Sequence, residues 1–243
     1  MNQLGKRTLK QKLGTLLFKM LGLNRELFES LRYEMNAVKL RINNTINPFQ
    51  RNKVKKNTTE DNLSVNIGAG PFGEEGWVNI DVSYFKNISF TYDCRTRLPF
   101  RDDSVARIRC EHCLEHMDKK EEVPFFLKEC FRSLKKGGIL RIVVPDLYLF
   151  MAAYLSDDDK EWAKIGYPEV PQDFNCRMDI LNHTFRQGGE HKYGYDFESM
   201  KATVGPVGFS MIIKRNYQIS EDFLLRNDLE NHKNYSLYVD CIK

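Results

Sequence analysis

The chain predicts an α/β protein, a mostly parallel sheet wound on both faces by helices. Three observations carry this expectation. From Leu63 onward, short apolar runs alternate with amphipathic helical stretches. The first run, Leu63–Ile67, leads straight into the glycine turn Gly68-Ala69-Gly70. The second run, Trp77–Asp81, ends in an acid 11 positions after Gly70. A strand, a glycine turn and a second strand closed by an acid is how doubly wound folds hold an adenosine-type ligand at their carboxyl ends. Dinucleotide folds place that acid roughly 20 residues on, after a full helix. The crossover here is therefore shortened.

The elements follow in order. Residues 1–61 form a basic arm. Its first expected helix carries Leu9, Leu13, Leu16, Leu17, Met20 and Leu21 on one face and ends at Gly22. The second opens at the N-cap residue Asn24, with Glu26 in its first turn. It sets Leu27, Leu31, Met35, Val38 and Ile42 at steps of three and four. Pro48 and the polar run Arg51–Asn62 read as a linker. Residues 62–243 form the α/β domain. After the first two strands come Ile88–Tyr92, ending in Asp93-Cys94, then a turn over 98–104 and the strand Val105–Cys110. A helix over 121–135 turns Phe125, Phe126, Cys130 and Leu134 inward and stops at Gly137-Gly138. Ile139–Val144 is a β-branched strand closed by Pro145-Asp146. Phe197–Thr203 reads as a helix capped by Asp196, and Phe209–Lys214 and Tyr235–Ile242 read as two late strands.

Composition bounds the rest. Apolar residues make up 42% and charged residues 29%, as in a soluble globular protein. The net charge of +4 is unevenly spread: residues 1–60 hold 13 Lys/Arg against 4 Asp/Glu. Such an arm suits an anionic membrane surface, a second copy of itself or its own domain. It lacks the interleaved aromatics of a nucleic-acid module, so no nucleic acid is expected. No run of about 18 apolar residues occurs. Leu13–Leu23 is a poor signal peptide because Lys19 interrupts it and no small-residue cleavage site follows. The six cysteines have no disulfide rhythm and read as reduced thiols of a cytoplasmic protein. Asn-x-Ser/Thr triplets such as Asn57-Thr58-Thr59 are then chance matches.

The order Asn66-Ile67-Gly68-Ala69-Gly70, Asp81, Asp93, Leu98-Pro99-Phe100, Glu111-His112-x-Leu114-Glu115-His116, Gly137-Gly138 and Val144-Pro145-Asp146-Leu147 resembles class I S-adenosylmethionine-dependent methyltransferases. It is most similar to a small branch with a shortened first crossover, often found among genes for surface-polysaccharide synthesis. The resemblance covers about residues 63–243 and implies a Rossmann-like sheet of seven strands, the last antiparallel. It also implies S-adenosyl-L-methionine as cofactor. Gly68 and Gly70 would flank the methionine part, Asp81 the ribose hydroxyls and Asp93 the adenine amino group. The segment from Cys110 through Glu111 and His112 would pass the sulfonium. Asn66 stands where relatives often have another residue. The shortened crossover then has a physical reason: this cofactor has no pyrophosphate needing a helix N-terminus.

The acceptor implied is a small molecule or glycan, with a hydroxyl of a saccharide or surface-glycan precursor as the methylated group. The arm, residues 1–44, would provide peripheral contact at the inner membrane surface or self-association. A hydroxyl acceptor calls for a general base within about 3 Å. Candidates at the carboxyl edge are His116 after the fourth strand, Asp146 after the fifth, and His183 and His191. The last two lie in the long segment 166–195, which reads as a lid. His116 is equally suited to holding a backbone carbonyl. The cluster Cys110-Glu111-His112-Cys113 with His116 is a weak zinc pattern, because Cys110 belongs on a strand and Cys113 on the next turn. No metal is expected. A nucleotide-dependent oxidoreductase and a non-catalytic partner of the same fold are the rival readings. The 11-residue spacing and the missing third glycine speak against the first.

Overall fold

The computed structural model describes residues 25–156, 158–166 and 174–243, together with Met20 and Gly22. It divides into two units, residues 1–39 and 40–243. The first expected helix, apart from Met20, and the expected cap Asn24 lie outside the described residues. Helix α1 (Arg25–Ile46) begins in the first unit and ends in the second. Within the first unit Leu27, Leu31, Met35 and Val38 are all exposed, so this helix carries an apolar stripe in contact with solvent.

The expected linker is largely a helix. Asn47 caps α2 (Pro48–Thr58) by accepting from the Phe49 N–H at 3.0 Å, with Pro48 at the start of the helix. Proline is favoured there because the first turn has no use for its missing N–H and its φ is already helical. The polar composition of the segment obscured this. Val54 packs on the main core and Thr58 is buried, so α2 belongs to the domain.

The sheet has seven strands: β1 (Leu63–Ile67), β2 (Val78–Asp81), β3 (Phe90–Thr91), β4 (Val105–Glu111), β5 (Leu134–Pro145), β6 (Met211–Arg215) and β7 (Ser236–Ile242). Their order is β3-β2-β1-β4-β5-β7-β6. The pairs among β1 to β5 are parallel, and β7 runs antiparallel to both β5 and β6. This is the doubly wound, Rossmann-like sheet expected. Val65, Ile67, Ile80, Phe90, Ile108, Leu140 and Ile142 are fully buried. Each such side chain contributes roughly 1.5–3 kcal/mol relative to exposure.

Helix α3 (Glu122–Ser133) passes directly into β5. The glycine pair does not end the helix. It sits in a bulge inside the strand, where the register skips from Val105↔Leu134 to Arg107↔Ile139. The segment after β5 carries three helices that the sequence reading did not place, of which only the last lies within the stretch 166–195 read as a lid. It holds α4 (Leu147–Ser156), α5 (Asp159–Ile165) and α6 (Arg177–Arg186). Leu147, Phe150, Ala153, Ile165, Leu181 and Tyr235 form a small core of their own. Helix α7 (Phe197–Val204) is capped by Asp196 as expected, accepting from the Ser199 N–H at 2.8 Å. All six cysteines are free thiols.

Candidate functional site

No helix separates β1 from β2. The loop between them is held by hydrogen bonds. Gly68 N–H and Ala69 N–H both donate to the Ile80 carbonyl, at 2.9 and 3.2 Å. Gly70 N–H donates to Asp81 Oδ2 at 2.9 Å, and Ser83 N–H donates to Asp81 Oδ1 at 2.7 Å. The acid and the glycine turn therefore touch, leaving Asp81 with lone pairs for a further donor. Gly68 has φ +71° and lies so close to the segment after β4 that a Cβ would stand 2.7 Å from Cys113 Cβ. Gly70 has φ +51°, but its missing Cβ would point into space empty of protein to 4 Å. One glycine thus allows close packing and the other leaves room for a ligand.

Two residues missed in the sequence brace this loop. Buried Asn79 accepts from Glu74 N–H at 3.0 Å and donates to the Glu74 carbonyl at 2.7 Å. Buried Arg109 pairs with the Glu74 carboxylate and stacks over Trp77 at 4.9 Å. The only sequence signal was a polar side chain within each apolar strand. Asn66 is buried in β1, in register between Asn79 and Arg109.

Asp93 lies just beyond β3 and is buried. Arg41 Nε reaches its Oδ2 at 2.8 Å, and Arg95 binds both oxygens, at 3.0 and 3.1 Å. Burial raises its pKa, but the hydrogen bonds from Arg95 and Arg41 outweigh this and hold it below the usual carboxylate range. Its acceptor capacity is occupied. A cavity of about 800 Å³ adjoins it, lined also by Arg41, Asn44, Arg51, Lys55 and Tyr92. The buried Asn44 Oδ1 has no hydrogen-bond partner.

The end of β4 gathers titratable groups. Glu111 accepts from His232 Nδ1 at 2.8 Å and from Leu229 N–H at 3.2 Å. His112 has φ +49°, a backbone strain held in place by its contacts. It contacts Ser236 Oγ at 2.9 Å and stacks on His232 with ring centroids 3.7 Å apart. Burial, then the neighbouring His232, His191 and His116, depress its pKa well below the ordinary value, so it is neutral. His232 escaped the sequence reading because it sits more than a hundred residues from its partners and outside any motif.

Glu115 and His116 lie on a single 3-10 turn, Leu114–His116, after β4. Glu115 is 1% exposed, and burial pushes its pKa up to about 8. His112 Nδ1 stands 3.3 Å from Glu115 Oε1. The Glu115 carbonyl accepts from Lys192 N–H at 2.7 Å, tying the segment after α6 to the strand end. His116 and His191 meet edge to face, with ring centroids 4.9 Å apart. His116 Nδ1 faces the Glu190 carbonyl at 3.2 Å, and His191 Nδ1 faces the Thr184 carbonyl at 2.7 Å. A carbonyl only accepts, so each Nδ1 carries the proton and each Nε2 presents a lone pair. Burial lowers both pKa values, that of His191 to about 4.

The structure thus unites His116 and His191. His183 stands on α6 with its ring 5.2 Å from that of Phe174. Asp146 is buried and accepts from the Tyr148 N–H at 3.2 Å at the start of α4, with Lys214 Nζ 3.3 Å from its other oxygen. That is a capping geometry.

Residues 83–142 match the family model described as a methyltransferase domain. No curated protein matches the chain. Among solved structures, a SAM-dependent methyltransferase from Archaeoglobus fulgidus is similar at 14% identity and a TM-score of 0.46, over 87% of this chain and 94% of that one. One from Methanosarcina mazei is 15% identical, with a TM-score of 0.44, over 82% of this chain and 98% of that one. A phosphoethanolamine N-methyltransferase 2 from Haemonchus contortus, in complex with S-adenosyl-L-methionine, is 11% identical with a TM-score of 0.42. There the match covers 79% of this chain and 51% of the other, so it spans about half of that enzyme. Residues 83–142 are thus similar to a methyltransferase domain and lie within a seven-stranded Rossmann-like sheet.

Proposed function

We propose that the protein transfers a methyl group from S-adenosylmethionine to a hydroxyl of a saccharide or surface-glycan precursor. The observation that carries the cofactor half is the contact of Gly70 N–H with the Asp81 carboxylate across a helix-free crossover. It joins a backbone a ligand can approach to an acid able to accept from a ribose diol, with no helix N-terminus for a pyrophosphate. The bound cofactor supplies a methyl group already activated on a sulfonium. At the adenine end Asp93 fixes Arg41 and Arg95, and Asn44 offers the unpaired acceptor that saturated Asp93 does not.

The chain's own part in the chemistry is alignment, exclusion of water and removal of one proton. The segment 187–195, bound to the Glu115 carbonyl, closes over the end of β4. His116 or His191 takes the hydroxyl proton at Nε2, the nitrogen left bare by the Nδ1–carbonyl contacts. The hydroxyl acceptor rests on this pair of neutral imidazoles. The saccharide class rests on the resemblance in motif order, and cytoplasmic placement accompanies it. Among the described residues no helix is long and apolar enough to cross a membrane. The exposed stripe Leu27–Val38 within the basic arm supports peripheral contact with an anionic membrane surface.

The test is transfer of labelled methyl from S-adenosylmethionine to a panel of free, nucleotide-linked and lipid-linked saccharides. Label should appear as a methyl ether on a saccharide and fall by at least about 100-fold in a His116→Ala, His191→Ala double variant, the usual scale of general-base loss. Label appearing only on amines or thiols would overturn the acceptor assignment.

A further inference from the structure

Glu115, His116 and His191 each present a donor atom, and the three atoms lie within 4.8 Å of one another. We propose that these residues form a binding site for one divalent transition-metal ion of the zinc class. Three observations converge on it. The first is spacing. In a tetrahedral site with bonds of about 2.1 Å the ligand atoms stand about 3.4 Å apart, so closure needs movements of up to about 1.4 Å shared among the side chains. The second is the carboxylate. Glu115 is 1% exposed, and its oxygens meet no hydrogen-bond donor beyond the neutral His112, whose Nδ1 stands 3.3 Å from Oε1. A buried carboxylate faced only by a neutral imidazole is costly unless a cation pairs with it. The third is the orientation of the imidazoles. Both Nδ1 atoms face backbone carbonyls, which turns both Nε2 lone pairs into donors. Metal-bound histidines are fixed by that same arrangement.

The donor set decides the class. Two imidazoles and one carboxylate suit zinc and its first-row neighbours, whereas magnesium and calcium prefer all-oxygen sites. Three protein ligands leave a coordination position open, as in catalytic zinc sites. The site also links two distant parts of the chain: Glu115 and His116 follow β4, and His191 follows α6. A bound ion would clamp the segment 187–195 to the strand end. With the ion bound both Nε2 lone pairs are taken, so the ion would acidify an acceptor hydroxyl in place of the imidazole base of the methyl-transfer reading; that consequence rests on the reading, binding of the ion does not.

The experiment uses the full chain, freed of metal by a chelator and kept reduced. Zinc is titrated in calorimetrically and bound metal is counted by elemental analysis. One ion per chain is expected. Glu115→Gln and His191→Asn should each weaken it by at least about tenfold, the scale at which even supporting residues matter. Cys176→Ser, which removes the exposed thiol, should leave it unchanged. Circular dichroism confirms folding, and His191→Asn, at a half-buried position, decides the matter if Glu115→Gln does not fold. Absence of saturable one-to-one binding, or binding that survives both ligand substitutions, would overturn the site. S-adenosylhomocysteine binding, measured separately, reports on the methyl-transfer reading alone.

Discussion

Glu115 is where burial and charge conflict most sharply. Its carboxyl moves from an ordinary 4.5 to about 8, chiefly through burial. The folded chain therefore holds a proton that the unfolded chain releases. The sign follows: stability is fully present below about pH 4.5 and is lost as pH rises towards 8. The depressed His191 acts oppositely, adding stability as pH rises from about 4 to its ordinary 6.5. Above that only the Glu115 loss remains of these two effects. With chelator present, denaturant titrations should show stability falling by about 2 kcal/mol from roughly pH 6.5 to 8, at ~1.4 kcal/mol per pH unit. Glu115→Gln should remove that fall; an equal fall in the variant would show that another group causes it. In the sequence Glu115 was merely one acid of a Glu-His motif. The bareness of its carboxylate depends on the turn at Leu114–His116 and on what packs over it, neither of which local pattern encodes.

Elements were most legible where one rule acted alone. The runs that became β1, β4 and β7 show the apolar pattern of buried strands, and Asp196 before Phe197 is a plain cap. They failed where two rules competed. Pro48 could break a helix or begin one, and only the cap at Asn47 decides for the second. Gly137-Gly138 could end α3 or sit in a bulge, and the bulge prevails because β5 pairs on both sides. Helices α4 to α6 were missed because their apolar positions serve a small separate core. The arm poses its own question at this scale. Leu31 and Met35 are 54% and 55% exposed on a strongly basic segment. The full chain should cosediment with vesicles rich in anionic lipid, and Leu31→Glu with Met35→Glu should abolish this. A full chain that never cosediments would refute membrane contact, and reversible dimerisation by sedimentation velocity would assign the stripe to a second copy.

At the scale of the whole molecule, the motif series in register conveyed the topology, while the buried charges that hold the sheet's far half stayed hidden. Arg141 is fully buried in β5, bidentate to Asp228 at 2.7 Å and bonded to Asp240 at 2.8 Å. Its partners lie 87 and 99 residues away, beyond any local pattern. Arg141→Ala would strand the buried Asp228 carboxylate and leave Asp240 with Arg215 alone, and should cost about 3–5 kcal/mol in denaturant unfolding. A loss below about 1 kcal/mol would show that the triad contributes little. The Gly68–Gly70 turn, Asp81 and the cavity beside Asp93 lie at the carboxyl ends of β1, β2 and β3, the edge proposed for the cofactor. On the proposed function this edge holds S-adenosylmethionine through Asp81. It is tested most directly by calorimetry of S-adenosylhomocysteine with the full chain and with Asp81→Ala. The parent should bind one equivalent, and the variant, folded by circular dichroism, should lose about 1.5–3 kcal/mol of affinity, the worth of hydrogen bonds to a charged group. Unchanged affinity in the variant, or no binding by the parent, would contradict the account.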